Sequence, residues 1–287
     1  MDYSACRLCP RQCGVNRTAG ELGFCGQPGL AQVAKVMVHH WEEPALAGPG
    51  GSGAIFFAGC TLGCLYCQNR EISHRGRGVP MDSAALRRAM EDLIAQGAEN
   101  IDLVTPSHFL PDLIPALRKP LPVPVVYNCG GYERAETVEA LRGLVDVYLP
   151  DMKYGSGALA RRLSGAEDYF PVAARAIRAM ADQVGPVQME NGKLRRGVLI
   201  RHLILPGQIE NSLRVLDWIG ETFRKGEVLV SLMRQYTPWG PAKNMPPLDR
   251  RITEEEYEAV LSWMYLNDLD GFTQEAAAAD ADYIPDF

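Results

Sequence analysis

Apolar segments of strand length alternate with segments of helical periodicity along most of the chain. Six apolar runs predict strands at 54–58, 101–104, 123–127, 145–149, 198–205 and 228–233, and helical patterns lie near 83–96, 110–118, 134–142, 169–184, 210–222 and 254–267. Strands that are continuous apolar runs are typical of a parallel sheet covered by helices. Because a closed TIM barrel needs about eight such β/α units, the pattern predicts an α/β fold with a partial (β/α)6 TIM-like barrel.

Two regions precede this pattern. Residues 1–29 are rich in Cys, Gly and Arg and poor in large aliphatic side chains, so this segment needs a cross-link or a metal to stay folded. Residues 30–52 form a connecting segment whose end overlaps a Gly- and Pro-rich breaker run at 48–53. We therefore predict a small N-terminal cysteine-rich metal-binding segment at 1–29, a connecting segment at 30–52 and a partial barrel at 53–287.

Charge and hydropathy argue against two kinds of partner. The net charge is −6 without a long basic stripe, so no nucleic-acid partner is expected. No apolar run approaches the roughly 20 residues of a membrane span, and residues 1–6 lack signal-peptide features. A cytoplasmic location without membrane partners is therefore expected. Thiols stay reduced in that compartment, so the eight cysteines indicate metal binding or catalysis rather than disulfides.

The most specific motif is a cysteine triplet at the end of the first predicted strand. Cys60, Cys64 and Cys67 have the spacing C-x3-C-x2-C. Three thiolates this close together can ligate one face of a [4Fe–4S] cubane and leave its fourth iron without a protein ligand. An open metal position is typical of catalytic sites. A structural zinc site completed by a distant residue is the alternative.

Four further cysteines lie in the N-terminal segment. Cys6, Cys9, Cys13 and Cys25 suit either zinc or a second iron–sulfur cluster, and their spacing does not decide between the two. We favour a cluster slightly, since a cluster can relay electrons whereas zinc would only hold the segment together.

Several other short segments recur with these cysteines as a set. They are EEP at 42–44, GSG at 51–53, CQN at 67–69, YNCGGY at 127–132, YLPDMK at 148–153, RHL at 201–203 and YIPDF at 283–287. With the triplet, they make the chain resemble the radical S-adenosylmethionine (radical SAM) superfamily. More closely, it resembles uncharacterised members related to pyruvate formate-lyase activating enzyme.

The resemblance implies a chemistry and its cofactors. A reduced [4Fe–4S] cluster on Cys60, Cys64 and Cys67 would cleave S-adenosylmethionine (SAM), giving methionine and a 5′-deoxyadenosyl radical that abstracts hydrogen from a substrate. A low-potential reductant such as flavodoxin or ferredoxin is the implied electron donor. The substrate implied is a glycyl-radical-type protein partner. Modification of a small molecule or peptide stays open, as does a non-catalytic iron–sulfur electron carrier.

Polar residues at predicted strand ends are the candidate SAM ligands. Tyr66 precedes the last triplet cysteine and in similar proteins an aromatic here lies by the adenine, with simple packing as the alternative. Asn128 follows the third strand. Asp151 and Lys153 follow the fourth, in an Asp-x-Lys sequence that resembles the one in glycyl-radical activases.

Two charged or polar residues lie inside the fifth predicted strand. Arg201 and His202 interrupt an apolar run, and a buried charge there needs a ligand or an acidic partner. Alternate strand residues point in opposite directions, so one of the two is expected to face inward. The sequence does not decide which, and His202 is nearly as well explained as a hydrogen-bonded core histidine.

The chain departs from many radical SAM proteins after the second strand. Many members carry Gly-Gly-Glu there, which contacts the SAM amino group, whereas this chain has the sequence VTPSH at 104–108. The hydroxyls of Thr105 and Ser107 are candidate substitutes, and His108 is a candidate contact to SAM or substrate.

Four further features have weaker predictions. Cys129 reads first as a small buried hydrophobe, with a role near substrate as the alternative. Glu42 and Glu43 read as a solvated turn rather than contacts near the cluster. The Pro- and Gly-containing segment 235–241 is a candidate for the substrate mouth, and residues 283–287 are expected to pack back on the domain.

Overall fold

The computed structural model describes residues 2–74 and 76–274. Within these ranges, seven parallel strands lie side by side in one sheet. The strands are β1 (Ala31–His39), β2 (Ser52–Phe57), β3 (Val79–Met81), β4 (Ile101–Val104), β5 (Val125–Cys129), β6 (Val147–Pro150), β7 (Gln188–Glu190), β8 (Lys193–Leu203), β9 (Leu229–Met233) and β10 (Gly271–Thr273). Their order is β10-β9-β8-β6-β5-β4-β2-β1-β3, with β7 paired to β8. The predicted packing of residues 283–287 lies outside the described residues.

Helices follow the parallel strands in the predicted alternation. They are α1 (Arg70–Ser73), α2 (Ser83–Ala95), α3 (Leu110–Leu117), α4 (Ala135–Glu139), α5 (Gly157–Ser164), α6 (Tyr169–Val184), α7 (Ile209–Thr222) and α8 (Glu254–Leu266). The predicted strands correspond to β2, β4, β5, β6, β8 and β9, all mutually parallel along the sheet. The predicted partial barrel is confirmed.

Local sequence signals explain several boundaries. The Asp82 side chain accepts a hydrogen bond from the Ala85 amide at the start of α2. At the start of α8, Thr253 and Glu256 form a reciprocal capping box. Asn191 and Gly192 both have positive φ, at 51° and 76°, which is what a two-residue hairpin turn requires. The hairpin predicted from this Asn-Gly pair joins β7 and β8.

The structure also adds elements that the pattern did not predict. The helices α1 and α5 are absent from the prediction, and β10 adds a short seventh parallel strand beside β9. Strand β8 begins at Lys193, five residues before the predicted start, because its first residues pair with β7. Strand β1, from the predicted connecting segment, pairs antiparallel with β2 and extends the sheet.

The chain between β1 and β2 enters the barrel interior. Ala45 and Leu46 are buried in a cluster with inward residues of β5, β6 and β8, namely Val126, Val147, Leu149 and Leu199. The Leu194 amide donates to the Ala45 carbonyl at 2.8 Å, and the Asn100 side chain donates to the Leu46 carbonyl at 2.9 Å. We call residues 41–47 the plug segment. These contacts of Ala45 and Leu46 hold the other side chains of the plug segment next to the barrel interior.

None of the helices in the described ranges combines the length and apolar character that a bilayer crossing needs.

Candidate active site

A cavity of about 250 Å³ opens at the carboxyl ends of the parallel strands. This is the edge where α/β barrels place their active sites. Its lining includes the three cysteines of the triplet and polar residues from β5, β6 and β8: Cys60, Cys64, Cys67, Asn128, Asp151, Lys153 and Arg201. One pocket therefore joins the motif that indicates a cluster to the polar residues at the strand ends.

Each sulfur of the triplet accepts a hydrogen bond. The donors are the Leu62 amide to Cys60 at 3.3 Å, the Ser164 hydroxyl to Cys64 at 3.1 Å and the Ser73 hydroxyl to Cys67 at 3.3 Å. Donors of this kind orient thiolate ligands and tune a bound metal.

Cys64 is buried, and Cys60 and Cys67 are half-buried. Burial raises the pKa of Cys60 to about 12, and burial also raises the pKa of Cys67 although Lys153 opposes it. A thiolate is stable there only with a bound cation, since a coordinating metal deprotonates the thiol. The donor set therefore fits an iron–sulfur cluster.

Opposite charges alternate across the pocket from the triplet inward. The ammonium of Lys153 lies against Asp151, and Asp151 Oδ1 accepts from Arg201 Nε at 2.8 Å. Arg201 Nη2 donates to Asn128 Oδ1 at 2.6 Å, and its Nη1 lies 3.6 Å from Glu42 Oε1. Burial acts to raise the pKa of Asp151, but Arg201 and Lys153 together lower it, so this carboxylate stays ionised.

A family model described as a 4Fe-4S single cluster domain matches residues 46–114, which contain the triplet. Two solved structures share the fold, a radical SAM methyltransferase from Sphaerobacter thermophilus and SuiB from Streptococcus suis bound to S-adenosylmethionine. The methyltransferase is 13% identical with a TM-score of 0.51, over 78% of this chain and 66% of that one. SuiB is 12% identical with a TM-score of 0.52 over 78% of this chain, which spans half of SuiB's length.

The chain has the fold of these two radical SAM-related structures and carries the 4Fe-4S cluster domain. It also shares a family with the uncharacterized protein MJ0674 of Methanocaldococcus jannaschii. The two are 30% identical over 274 residues, which is 90% of this chain and 74% of that protein. The match to the cluster domain, which includes the triplet, and the shared fold are two independent findings.

Most of the predicted SAM ligands line the pocket. Tyr66 is buried there with its ring 6.1 Å from that of Tyr236. Thr105 also lines it, in a left-handed conformation with φ of 60°. Such a conformation is costly for a branched residue and is typical of functional sites.

Three other candidates lie away from the pocket. His202 points outward from β8, with Nδ1 2.6 Å from the Met152 carbonyl and Nε2 2.9 Å from the Ser212 hydroxyl. Ser107 donates to the buried carboxylate of Glu133. His108 Nε2 lies 2.7 Å from the Ala58 carbonyl. Of the pair in β8, Arg201 is therefore the one that faces inward.

Acidic residues that the sequence analysis did not place at the site lie at the pocket or beside it. Glu42 lines it, and Glu43 is buried with both carboxylate oxygens accepting from the Ser231 hydroxyl, at 2.9 and 3.0 Å. The interpretation of these two residues as a solvated turn is wrong, because the plug segment carries them into the barrel. Asp102 is fully buried on β4 beneath them. Arg201 was predicted as a site residue because it is a charged residue within an apolar strand. Asp102 is a charged residue within the apolar strand β4, so the same criterion would have identified it.

Two of the weaker predictions concern the pocket wall. Cys129 is buried at the end of β5 and borders the cavity. Gln235, Tyr236, Thr237 and Trp239 of the predicted mouth segment line the opposite side.

The N-terminal segment packs directly against the triplet loop. The Arg11 guanidinium donates to the carbonyls of Thr61, Leu62 and Ser164. At Gly59 a Cβ atom would lie 2.7 Å from the Cys25 carbonyl oxygen, so this approach requires glycine.

The four N-terminal cysteines differ in burial. Cys6 and Cys9 are buried, Cys25 is half-buried and Cys13 is exposed. Burial raises the pKa of Cys9 to about 12. Among the described residues, no group of three or more His, Cys, Asp or Glu side chains is arranged as a metal-ion site.

Proposed function

We propose that this chain is a radical SAM enzyme that holds its cluster on Cys60, Cys64 and Cys67 and binds SAM in the adjoining pocket. The observation that carries the proposal is that all three cysteines line the same cavity as the Lys153–Asp151–Arg201 row. When bound, the cluster supplies the electron that splits SAM into methionine and a 5′-deoxyadenosyl radical. The chain's own residues position SAM and keep competing reactions out.

Lys153 and Arg201 are the residues suited to the carboxylate of SAM. Lys153 is buried and close enough to the triplet for its charge to act on Cys64 and Cys67. Asp151 holds both cations in place, while Asn128 orients Arg201. Tyr66 and Thr105 are assigned to the wall around the rest of SAM, since both line the cavity. His202 and Ser107 have buried hydrogen-bond partners elsewhere and are assigned no contact.

The substrate proposed first is a protein partner that receives a glycyl radical, as in pyruvate formate-lyase activating enzyme. The support is the resemblance over residues 148–153 and the position of Asp151 and Lys153 in the pocket. A small molecule or peptide is the second candidate. A non-catalytic electron carrier is disfavoured, because it has no need of charged side chains around a cavity. The reductant is a low-potential carrier such as flavodoxin or ferredoxin.

The N-terminal cysteines are proposed to hold a second iron–sulfur cluster or zinc. Arg17 supports this, because its guanidinium is only 2% exposed and donates to the carbonyls of Gln27, Pro28 and His108 and, at 3.7 Å, to Cys6 Sγ. A buried cation is costly unless a negative charge accompanies it. Thiolates around a metal would supply that charge.

An anaerobic cleavage assay tests the proposal. The reconstituted protein is reduced with dithionite and given SAM, and 5′-deoxyadenosine and methionine are quantified by mass spectrometry. We expect product from the wild type and none above background from the C60A/C64A/C67A variant. Cys129→Ala is the matched control, since this cysteine borders the same cavity from β5, and it should still cleave SAM. A wild type that neither binds nor cleaves SAM would refute the proposal.

A further inference from the structure

The inner end of the pocket carries more acidic than basic side chains. We define the acidic floor as Glu42, Glu43 and Asp102, which meet where the plug segment faces the inward side of β4 and β9. Glu42 lines the cavity, whereas Glu43 and Asp102 are buried next to it. With the half-buried Asp151, four carboxyl groups lie near the two cations Lys153 and Arg201. A ligand or bound protons must balance the difference.

Both cations contact Asp151 most closely. It accepts from Arg201 Nε at 2.8 Å and lies against the Lys153 ammonium. Arg201 also forms an ion pair with Glu42, but at 3.6 Å, beyond hydrogen-bond distance. The acidic floor is therefore the part of the pocket whose carboxyl groups have the weaker contact with a cation of the chain.

Hydrogen bonds within the acidic floor are few for three carboxyl groups. Asp102 Oδ2 accepts from Asn128 Nδ2 at 3.2 Å, while Asp102 Oδ1 has no hydrogen-bond partner although the residue is fully buried. Glu42 Oε2 is 3.4 Å from the same Asn128 nitrogen, and its Oε1 accepts from the Glu43 amide at 3.0 Å. Glu43 has the hydroxyl of Ser231. A buried carboxyl oxygen without a donor is destabilising, so the free oxygen of Asp102 favours a ligand or a proton that donates to it.

The titration of these groups agrees with the geometry. Burial raises the pKa of Glu43 to about 7, although Arg201 opposes it. Burial first, and then the neighbouring Glu42, raise the pKa of Asp102 well above its usual range. Without a ligand Glu43 and Asp102 thus retain protons near neutral pH, and a cation that enters can displace them.

The cavity around Glu42 suits an organic cation. Phe56, Tyr236, Trp239 and Trp41 line it, and Trp41 is 63% exposed at the opening. Aromatic faces attract ammonium and guanidinium groups. Trp239 Nε1 is buried without a hydrogen-bond partner on the same wall, so it can donate to an acceptor elsewhere on that ligand.

SAM and this cation would occupy different ends of the pocket. Lys153 lies by the triplet, whereas Asp151 and Arg201 separate it from Glu42. We propose that the acidic floor binds a positively charged group of the substrate, an ammonium or guanidinium on a peptide or a small amine. This inference rests on the proposed function, and it assigns the substrate a charge.

Three matched peptides test the inference by charge alone. The probes are acetyl-Gly-Lys-Gly-amide, acetyl-Gly-norleucine-Gly-amide and acetyl-Gly-Glu-Gly-amide, titrated into reconstituted, SAM-loaded protein by calorimetry. We expect the lysine peptide to bind at least tenfold more tightly than the norleucine peptide, and the glutamate peptide most weakly. Glu42→Gln should reduce the lysine-to-norleucine ratio to about one. Glu91→Gln, an exposed carboxylate on α2, should keep the wild-type ratio.

The outcomes separate this inference from the proposed function. SAM binding and cleavage are measured on the same samples, and failure of both refutes the proposed function. If SAM is bound but the lysine peptide has no advantage, or no peptide binds, the acidic floor does not recognise a cation. A lysine preference that persists in Glu42→Gln would also overturn the assignment.

Discussion

The triplet and the four N-terminal cysteines differ in the structure that surrounds them. The triplet lies in a short loop directly after β2, and its sulfurs line a cavity with hydrogen bonds from Leu62, Ser73 and Ser164. The four N-terminal cysteines lie in a segment whose regular structure before β1 is one 3-10 turn at Arg17–Ala19. A strand end positions the first set, whereas the second set lies in a segment with little regular structure of its own. Under the functions proposed for the two sets, the comparison separates a catalytic site on a rigid fold from a metal site that stabilises its own segment.

The largest effect is expected from the N-terminal set. Cys9→Ala should unfold the segment before β1, because metal binding supplies much of the folding free energy of small cysteine-rich units, about 10 kcal/mol in zinc fingers. Proteolysis with mass spectrometry would show cleavage within residues 2–29 of the variant but not of the wild type. A variant as resistant as the wild type would show that no metal holds this segment.

Arg17 provides a second test of the N-terminal segment. Arg17→Met keeps the apolar stem but leaves the carbonyls of Pro28 and His108 without their donor. We expect a loss of about 3–5 kcal/mol in the free energy of unfolding, as for other broken buried charge contacts. Denaturant titration measures it, and Arg7→Met is the control because Arg7 is exposed. Equal stability of the two variants would contradict the role given to Arg17.

The barrel itself should show a pH dependence from His202. Burial lowers the pKa of His202 from 6.5 to about 4, so the native state holds it neutral. The unfolded state binds the proton first, and stability is therefore lost as the pH falls from about 6.5 towards 4, by about 3 kcal/mol at most. Urea titrations at pH 7 and pH 5 should show this loss, and it should be smaller in His202→Gln. The same loss in both proteins would assign it to other groups.

A smaller effect is expected at the triplet. Ser164→Ala removes the hydroxyl that donates to Cys64 Sγ at 3.1 Å, at a cost of about 1–3 kcal/mol for the sulfur and for Tyr154, which also contacts this hydroxyl. It should also lower the reduction potential of the reconstituted cluster, since hydrogen bonds to sulfur stabilise the reduced state. Redox titration followed by EPR measures the shift. An unchanged potential would exclude Ser164 as a tuning residue.

The barrel was largely predictable because its strands are buried on both faces and therefore appear as apolar runs. Strand β4 occupies the predicted residues 101–104, and α6 the predicted residues 169–184. Strand β10 has three residues and no apolar run, so only its pairing with β9 defines it. The start of β8 was missed because it depends on the partner strand β7 rather than on its own composition.

The site residues were predictable where a sequence motif or a charge within an apolar strand indicated them. They were not predictable where their position depends on contacts between residues far apart in the chain. The triplet and Asp151 follow from motifs, whereas the choice between Arg201 and His202 depends on which face of β8 is inside. Glu43 contacts Ser231, 188 residues away in the chain. No local sequence pattern shows that the plug segment enters the barrel. Glu42 and Glu43 were therefore predicted to lie in a solvated turn.

One measurement tests directly that the triplet, and not the N-terminal set, holds the cluster with an open iron. EPR spectra of the reduced protein are recorded with and without SAM for the wild type, C60A/C64A/C67A and C6A/C9A/C13A/C25A, with iron counted in each. We predict a [4Fe–4S]⁺ signal that changes on addition of SAM in the wild type and that is absent from the triplet variant. A SAM-sensitive signal that survives loss of the triplet would contradict the account.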